Sequence, residues 1–103
     1  MKIELLIIDE CPNSEVAGRR VRDALSELDR QDVELVYTLI SKASDIAGTV
    51  FGGSPTIALD GVDLFPGDPA AELSCRVYPT PDGLAGVPTV NQIKSALTER
   101  GFA

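Results

Sequence analysis

The sequence contains no histidine and only two cysteines, Cys11 and Cys75. The lack of histidine excludes Ser-His-Asp and Cys-His catalysis and every metal site that uses an imidazole ligand. Two cysteines are too few for a disulfide framework or a four-thiolate zinc site, although a disulfide pair or two-coordinate binding of a soft metal ion stays open. The counts therefore favour redox or metal chemistry over a structural role, without deciding between them.

Basic residues are also scarce, since 9 lysines and arginines against 16 aspartates and glutamates give a net charge of −7. The largest basic group is the pair Arg19 and Arg20, with Arg22 nearby. Nucleic acids and anionic membranes are bound through clustered positive charge. We therefore expect neither as a partner.

Long apolar runs are absent as well. The first run, residues 3–8, is shorter than the roughly 7–15 apolar residues of a signal peptide, and no segment approaches the roughly 18–20 residues of a membrane span. We expect a cytoplasmic protein, in which a transient disulfide is more usual than a permanent one. At 103 residues and 44% hydrophobic content, the expectation is one compact domain over residues 1–103.

The first third of the chain has two clear apolar patterns. Residues 3–8 form a nearly continuous aliphatic run, which is typical of a strand buried on both faces. Over residues 14–29 apolar side chains recur every three or four positions, which predicts an amphipathic helix. Asn13 or Ser14 can cap its N-terminus.

The middle of the chain predicts a second strand over residues 33–40 and a short helix over residues 41–48. A third strand follows at residues 57–59, and Asp60-Gly61 is a hairpin-turn signal. Residues 62–73 contain Pro and Gly and are typical of an extended loop.

The last third predicts a short strand over residues 75–78 that pairs back across Asp60-Gly61. Thr89 and Gln92 have the spacing of a capping box, which starts a helix that continues to Gly101. The early strands are linked by helices and the late ones by a hairpin, so the pattern predicts a mixed sheet.

Cys11 lies between the first predicted strand and the first predicted helix. At a helix N-terminus the unpaired N–H groups and the positive end of the dipole favour thiolate over thiol. Negative charge on Asp9 and Glu10 acts in the opposite direction. We interpret Cys11 as a reactive thiol rather than a buried small hydrophobic residue, whereas for Cys75 an inert position facing the core is favoured.

The order of elements, with Cys11-Pro12-Asn13-Ser14 at the first strand-to-helix junction and Ser54-Pro55-Thr56 before the third strand, resembles the thioredoxin fold along nearly the whole chain. The resemblance implies a thioredoxin-like α/β domain with a mixed central sheet of about four strands covered by helices. It also implies that Cys11 is the nucleophile and that a cis-proline lies next to it. The implied substrate-binding residues are Pro12, Ser54, Pro55 and Thr56, with Pro55 as the cis-proline.

The chain departs from that family at two motif positions. Ser14 stands where the family has its resolving cysteine, and Glu10 replaces the usual tryptophan. A C-x-x-S site can attack a disulfide and hold a mixed disulfide, but it cannot expel its partner through its own motif. With Ser14 in the catalytic motif, the resolving thiol would come from Cys75, from glutathione or from a partner protein. The expected function is thiol–disulfide exchange without a cofactor, with a protein or a low-molecular-weight thiol or disulfide as partner.

A second resemblance covers residues 73–97, where Ser74-Cys75-Arg76-Val77-Tyr78 and Val87-Pro88-Thr89 look like the C-terminal part of organomercurial, or alkylmercury, lyases. Those enzymes use two cysteines and an aspartate to bind mercury and to protonate the leaving carbon. Cys75 matches one of the thiols, whereas Cys11 lies outside the stretch compared. The alternative function is therefore a non-catalytic thioredoxin-like module that binds a protein segment or a soft metal such as mercury.

Overall fold

The computed structural model describes residues 1–30, 32–66 and 73–101, which form a mixed α/β arrangement of one four-stranded sheet, a separate two-stranded hairpin and two helices. In chain order the elements are β1 Lys2–Ile8, α1 Ser14–Glu27, β2 Glu34–Ile40, a 3₁₀ turn Ala43–Asp45, β3 Thr56–Leu59, β4 Val62–Asp63, β5 Tyr78–Thr80, β6 Gly83–Ala85 and α2 Val90–Glu99. None of the helices in these ranges is long and apolar enough to cross a membrane.

The main sheet has the strand order β2-β1-β3-β4. β1 and β2 are parallel, in register from Lys2–Glu34 to Ile8–Ile40. β3 runs antiparallel to β1, with Leu6 opposite Thr56, and β4 runs antiparallel to β3. The prediction of a mixed sheet of about four strands is confirmed, and the interior position of β1 explains its continuous aliphatic sequence.

The two faces of the sheet are covered unequally. Ile3 and Leu5 of β1 point to the larger core cluster, which also contains buried residues of α1 and α2. Leu6 points to the opposite face, because successive side chains of a strand alternate, and lies in a smaller cluster with Phe51. Both helices therefore contribute to one core, and the other core is completed by residues from the segment after β2.

The predicted helix over residues 41–48 is wrong beyond the 3₁₀ turn Ala43–Asp45. The Asp45 carboxylate accepts hydrogen bonds from the N–H groups of Ser41 and Lys42 at 3.0 and 3.2 Å. Gly48 adopts a φ of +78°, which a continuing helix does not allow. The N–H groups of Asp45, Ile46 and Thr49 each donate to the carbonyl three residues earlier, so this segment forms a 3₁₀ turn and further tight turns instead of an α-helix.

The predicted strand over residues 75–78 is also wrong. The Asp60-Gly61 turn, with φ of +48° and +86°, reverses the chain immediately after β3. The first residues of the predicted loop therefore form β4 and pair with β3. Cys75 makes only an isolated parallel bridge to Ser54, and Tyr78–Thr80 pairs with Gly83–Ala85. Residues 67–72 of the predicted loop lie outside the described residues.

The two helix starts differ in how they are capped. The predicted box at α2 is confirmed, because the Thr89 hydroxyl accepts from the Gln92 N–H at 3.1 Å and the Gln92 side chain accepts from the Thr89 N–H at 2.8 Å. Asn13 is the N-cap of α1, but its side chain makes no capping hydrogen bond. It packs against Gly86, where a Cβ would lie 2.2 Å from the Asn13 amide nitrogen.

Candidate functional site

Cys11 lies in the short connection between β1 and α1. Its thiol is free and partly exposed, and Pro12 beside it is exposed. Glu10, just before it, adopts a left-handed φ of +56°, which few residues other than glycine favour. The connection thus turns sharply immediately before the thiol.

Ser14 is directed to the backbone of Cys11. Its hydroxyl donates to the Cys11 carbonyl at 3.0 Å, and its N–H donates to the same oxygen at 3.3 Å. The first hydrogen bond of the helix ladder joins the Ala17 N–H to the Asn13 carbonyl. Cys11 therefore precedes the N-cap by two residues, and Ser14 acts as a residue that fixes the turn carrying the thiol.

Ser54 joins the segments that carry the two cysteines. Its hydroxyl accepts a hydrogen bond from the N–H of Ile8, the last residue of β1, at 3.1 Å. Its own N–H donates to the Ser74 carbonyl at 2.8 Å, and its carbonyl accepts from the Arg76 N–H at 2.9 Å. One buried serine thus connects the end of the strand that leads to Cys11 with the backbone on both sides of Cys75.

The other residues of this segment are also buried and bonded inside the chain. The Ser54–Pro55 peptide bond is cis, as the resemblance implied, and the Pro55 carbonyl accepts from the Tyr78 hydroxyl. The Thr56 hydroxyl donates to the Gly53 carbonyl at 2.6 Å and accepts from the Gly52 N–H at 2.9 Å. The polar atoms of Ser54 and Thr56, which the resemblance assigns to substrate binding, therefore hold the backbone in place. Pro12, which the resemblance assigns to the same role, lies on the surface.

Cys75 is exposed and free, and it lines a cleft of about 750 Å³ between the β4 region, the segment after Cys75 and α2. Other residues that line the cleft are Leu64, Phe65, Arg76, Val77, Gln92 and Ala96. Cys11 does not line it. The expectation that Cys75 faces the core is wrong. β4 pairs with β3 in place of the predicted strand, and Cys75 makes only a bridge to Ser54 and lies at the surface.

Arg76 anchors the segment that follows Cys75, and sequence reasoning did not identify it. Its guanidinium pairs with the Asp63 carboxylate at 2.9 Å and donates to the Phe65 carbonyl, and both charged side chains are largely buried. It also lies over the Tyr78 ring, 4.7 Å from the centroid. The sequence alone indicates this ion pair only weakly, because Asp63 comes close to Arg76 only when β4 folds back beside β3.

Tyr78, the first residue of β5, is buried. Its ring meets Phe65 edge-on, with centroids 5.4 Å apart. Burial raises the pKa of the Tyr78 hydroxyl well above its ordinary value, although the nearby Arg76 charge lowers it in part. Tyr78 is therefore a core packing residue.

Within residues 1–30, 32–66 and 73–101, no three or more carboxylate or thiol side chains gather in a way that could hold a metal ion. Comparisons with protein-family models, with curated proteins and with solved structures find no match. Inferences about function therefore rest on the surroundings of Cys11 and Cys75.

Proposed function

We propose that the chain is a thioredoxin-like domain that carries out thiol–disulfide exchange through the single thiol of Cys11. The observation that carries the proposal is the place of this residue, a free and partly exposed thiol at the β1–α1 junction. The strand order β2-β1-β3-β4, with α1 between the parallel strands β1 and β2, supports the thioredoxin-like assignment. The partner is a disulfide of a protein or of a low-molecular-weight thiol, and the proposed compartment is the cytoplasm.

The proposed exchange has two balanced steps. The Cys11 thiolate attacks one sulfur of the partner disulfide, so that a mixed disulfide forms and the partner's other sulfur leaves as a thiolate. A second thiol then attacks the partner sulfur of the mixed disulfide and releases the Cys11 thiolate. The net result of the two steps is that the second thiol replaces one thiol of the partner disulfide. A further external thiol must attack the new disulfide before two electrons have passed to the partner, and no cofactor takes part.

An external thiol is the favoured source of the second step. Ser14 has no sulfur, and its hydroxyl is bound to the Cys11 carbonyl. Cys75 lines a cleft that Cys11 does not share. A low-molecular-weight thiol such as glutathione can approach the partly exposed Cys11 from solvent, whereas Cys75 faces a cleft that Cys11 does not line.

The test is disulfide exchange followed by mass spectrometry on the reduced wild type, Cys11→Ser and Cys75→Ser. With glutathione disulfide as the probe, the proposal requires the mixed disulfide on Cys11 to form at least about tenfold faster than the one on Cys75, a margin typical of an activated cysteine against an ordinary one. Cys75→Ser should retain this rate, and excess glutathione should return its Cys11 from the mixed disulfide to the free thiol. Reaction mainly at Cys75, or a Cys11 no faster than an unstructured cysteine peptide, would refute the proposal.

The cleft beside Cys75 supports a second candidate function, a binding module without turnover. Its wall combines the exposed Cys75 with apolar residues such as Val77, which is 59% exposed. A partner that binds Cys11→Ser as well as wild type, and is lost on Val77→Glu, would favour this module over exchange. For a soft metal, the test is titration with Hg(II): one ion held by both thiols should be lost when either cysteine is replaced.

A further inference from the structure

β2 forms one edge of the main sheet and pairs only with β1 in the described structure. It is seven residues long, contains no proline, and carries a single charged residue, Glu34. Natural edge strands are usually protected by short length, lysine, proline or a bulge. This strand has none of those devices.

The backbone of β2 has a defined open side. Glu34 donates its N–H to the Met1 carbonyl at 3.2 Å, toward β1. Because N–H and C=O groups of successive strand residues point to opposite sides, the odd-numbered residues turn theirs to the free edge. These residues are Leu35, Tyr37 and Leu39, and they have no strand partner on that side in the described residues.

The same three residues place apolar side chains on one face. Tyr37 is 43% exposed and Leu39 is 52% exposed, while Leu35 is partly buried against the larger core. The Tyr37 ring lies 6.0 Å from the Arg22 guanidinium of α1. Open hydrogen-bonding groups and exposed apolar side chains thus coincide along the edge.

We propose that β2 pairs with β2 of a second copy of this chain, antiparallel around a two-fold axis at Tyr37. In this register Tyr37 lies opposite Tyr37 of the second copy, and Leu35 lies opposite Leu39. All of these residues turn their backbone groups to the free edge, so each can donate one hydrogen bond and accept one. The apolar side chains then form self-complementary cross-strand pairs on one face. The proposal does not depend on the chemistry of Cys11.

Charge complementarity favours a second copy over an unrelated peptide. With the axis at Tyr37, Glu34 lies opposite Ile40 of the second copy, so that Lys42 of that copy is its diagonal neighbour on the same face. Lys42 continues the extended backbone, with φ −151° and ψ 161°, and its ammonium makes no ion pair within the part of the chain that the structure describes. The two Glu34 side chains lie at opposite ends of the paired strands and therefore stay apart from each other.

The pairing should be weak. Stable interfaces bury about 1,200–2,000 Å² in total, and two short paired edges lie at or below the lower end of this range. The net charge of −7 on each copy also opposes association. We therefore expect a monomer at low concentration and a dimer at high concentration.

The test is sedimentation velocity from about 5 to 500 µM, which spans the dissociation constants of weak complexes. Leu39→Lys should raise the dimer dissociation constant at least about tenfold, because it places a charge in the cross-strand pair with Leu35. Leu84→Lys is the matched control, since Leu84 is 76% exposed on β6 and the change in net charge is the same. The proposal is overturned if the chain stays monomeric at every concentration, which would leave the edge to some other occupant. It is also overturned if both variants weaken the dimer equally.

Hydrogen exchange gives a second readout that needs no variant. The amides of Leu35, Tyr37 and Leu39 should exchange more slowly as concentration rises, while the amides of Glu34 and Val36, which point to β1, should not change. The register is tested by Glu34→Lys and Lys42→Glu, each of which should weaken the dimer severalfold while the double variant restores it. Protection spread evenly along β2, or no restoration, contradicts the proposed pairing.

Discussion

At Gly53 the backbone passes so close to Arg76 that a side chain has no room. Gly53 has a φ of +113°, and a Cβ there would lie 2.9 Å from the Arg76 Cβ and 3.1 Å from its Cα. Arg76 cannot easily retreat, because its N–H is bound to the Ser54 carbonyl and its guanidinium to Asp63. The glycine therefore allows the Cys75 segment to lie against Ser54.

Replacing this glycine should be costly, and the chain offers a matched control. We expect Gly53→Ala to lower the free energy of unfolding by about 2–4 kcal/mol, from backbone strain together with overpacking. Gly83 has nearly the same φ, +112°, but open space around it, so Gly83→Ala should cost only about 1 kcal/mol from strain alone. Urea unfolding of the two variants measures the difference, and equal losses would show that the approach to Arg76 does not matter.

Among the elements, the two helices depend on different N-terminal devices. α2 has a reciprocal capping box between Thr89 and Gln92. α1 begins at Asn13 without a side-chain cap, and its first turn is joined to the Cys11 carbonyl through Ser14. The stability of α2 therefore depends directly on one hydroxyl.

Thr89→Ala should lower the free energy of unfolding by about 1 kcal/mol, the usual cost of losing an N-cap hydroxyl. Thr89→Ser keeps the hydroxyl and should cost only a fraction of that amount. Urea denaturation, with the amide exchange of the first turn of α2 as a local probe, measures both variants. If Ser and Ala cost the same, the methyl packing of Thr89 rather than its cap would explain the loss.

The elements that the sequence predicts well are those set by local chemistry. β1, α1, β2 and the start of α2 follow from apolar periodicity and from the Thr89–Gln92 spacing. The predicted partner of β3, the strand over residues 75–78, is wrong, because this segment and β4 can both pair with the same edge of β3. The Asp60-Gly61 turn decides this competition, since it returns β4 to the sheet before the chain reaches Cys75.

At the site, the sequence predicts the position of Cys11 but not the network around it. A cysteine between a buried strand and an amphipathic helix is visible in the pattern. The three hydrogen bonds of Ser54 and the pairing of Arg76 with Asp63 join distant parts of the chain, so no local signal marks them. These contacts come from the tertiary arrangement.

Across the whole molecule, Tyr78 is the residue through which several parts meet. Its hydroxyl binds the Pro55 carbonyl, its ring packs on Phe65, and Arg76 lies above it. Burial keeps this hydroxyl neutral, because it raises the pKa in the folded protein. The global stability of the fold should therefore depend on pH in the alkaline range.

The sign follows from the raised pKa. The unfolded chain loses the Tyr78 proton at about pH 10 while the folded chain keeps it, so the contribution is fully present below about pH 10 and is lost as the pH rises toward the folded value. Tyr78→Phe should cost about 1–2 kcal/mol at neutral pH and make the decline of unfolding free energy above pH 10 shallower. Urea denaturation at several alkaline pH values tests this, and a wild-type decline no steeper than that of Tyr78→Phe would contradict it.

The distribution of aromatic residues also has an optical consequence. The chain has no tryptophan and two tyrosines, one exposed on the edge of β2 and the other buried between Phe65 and Arg76. Their emission and near-ultraviolet signals therefore come from two separate places, and Tyr37→Phe or Tyr78→Phe leaves only one of them. The folded core and the edge strand can thus be followed independently by spectroscopy without any attached label.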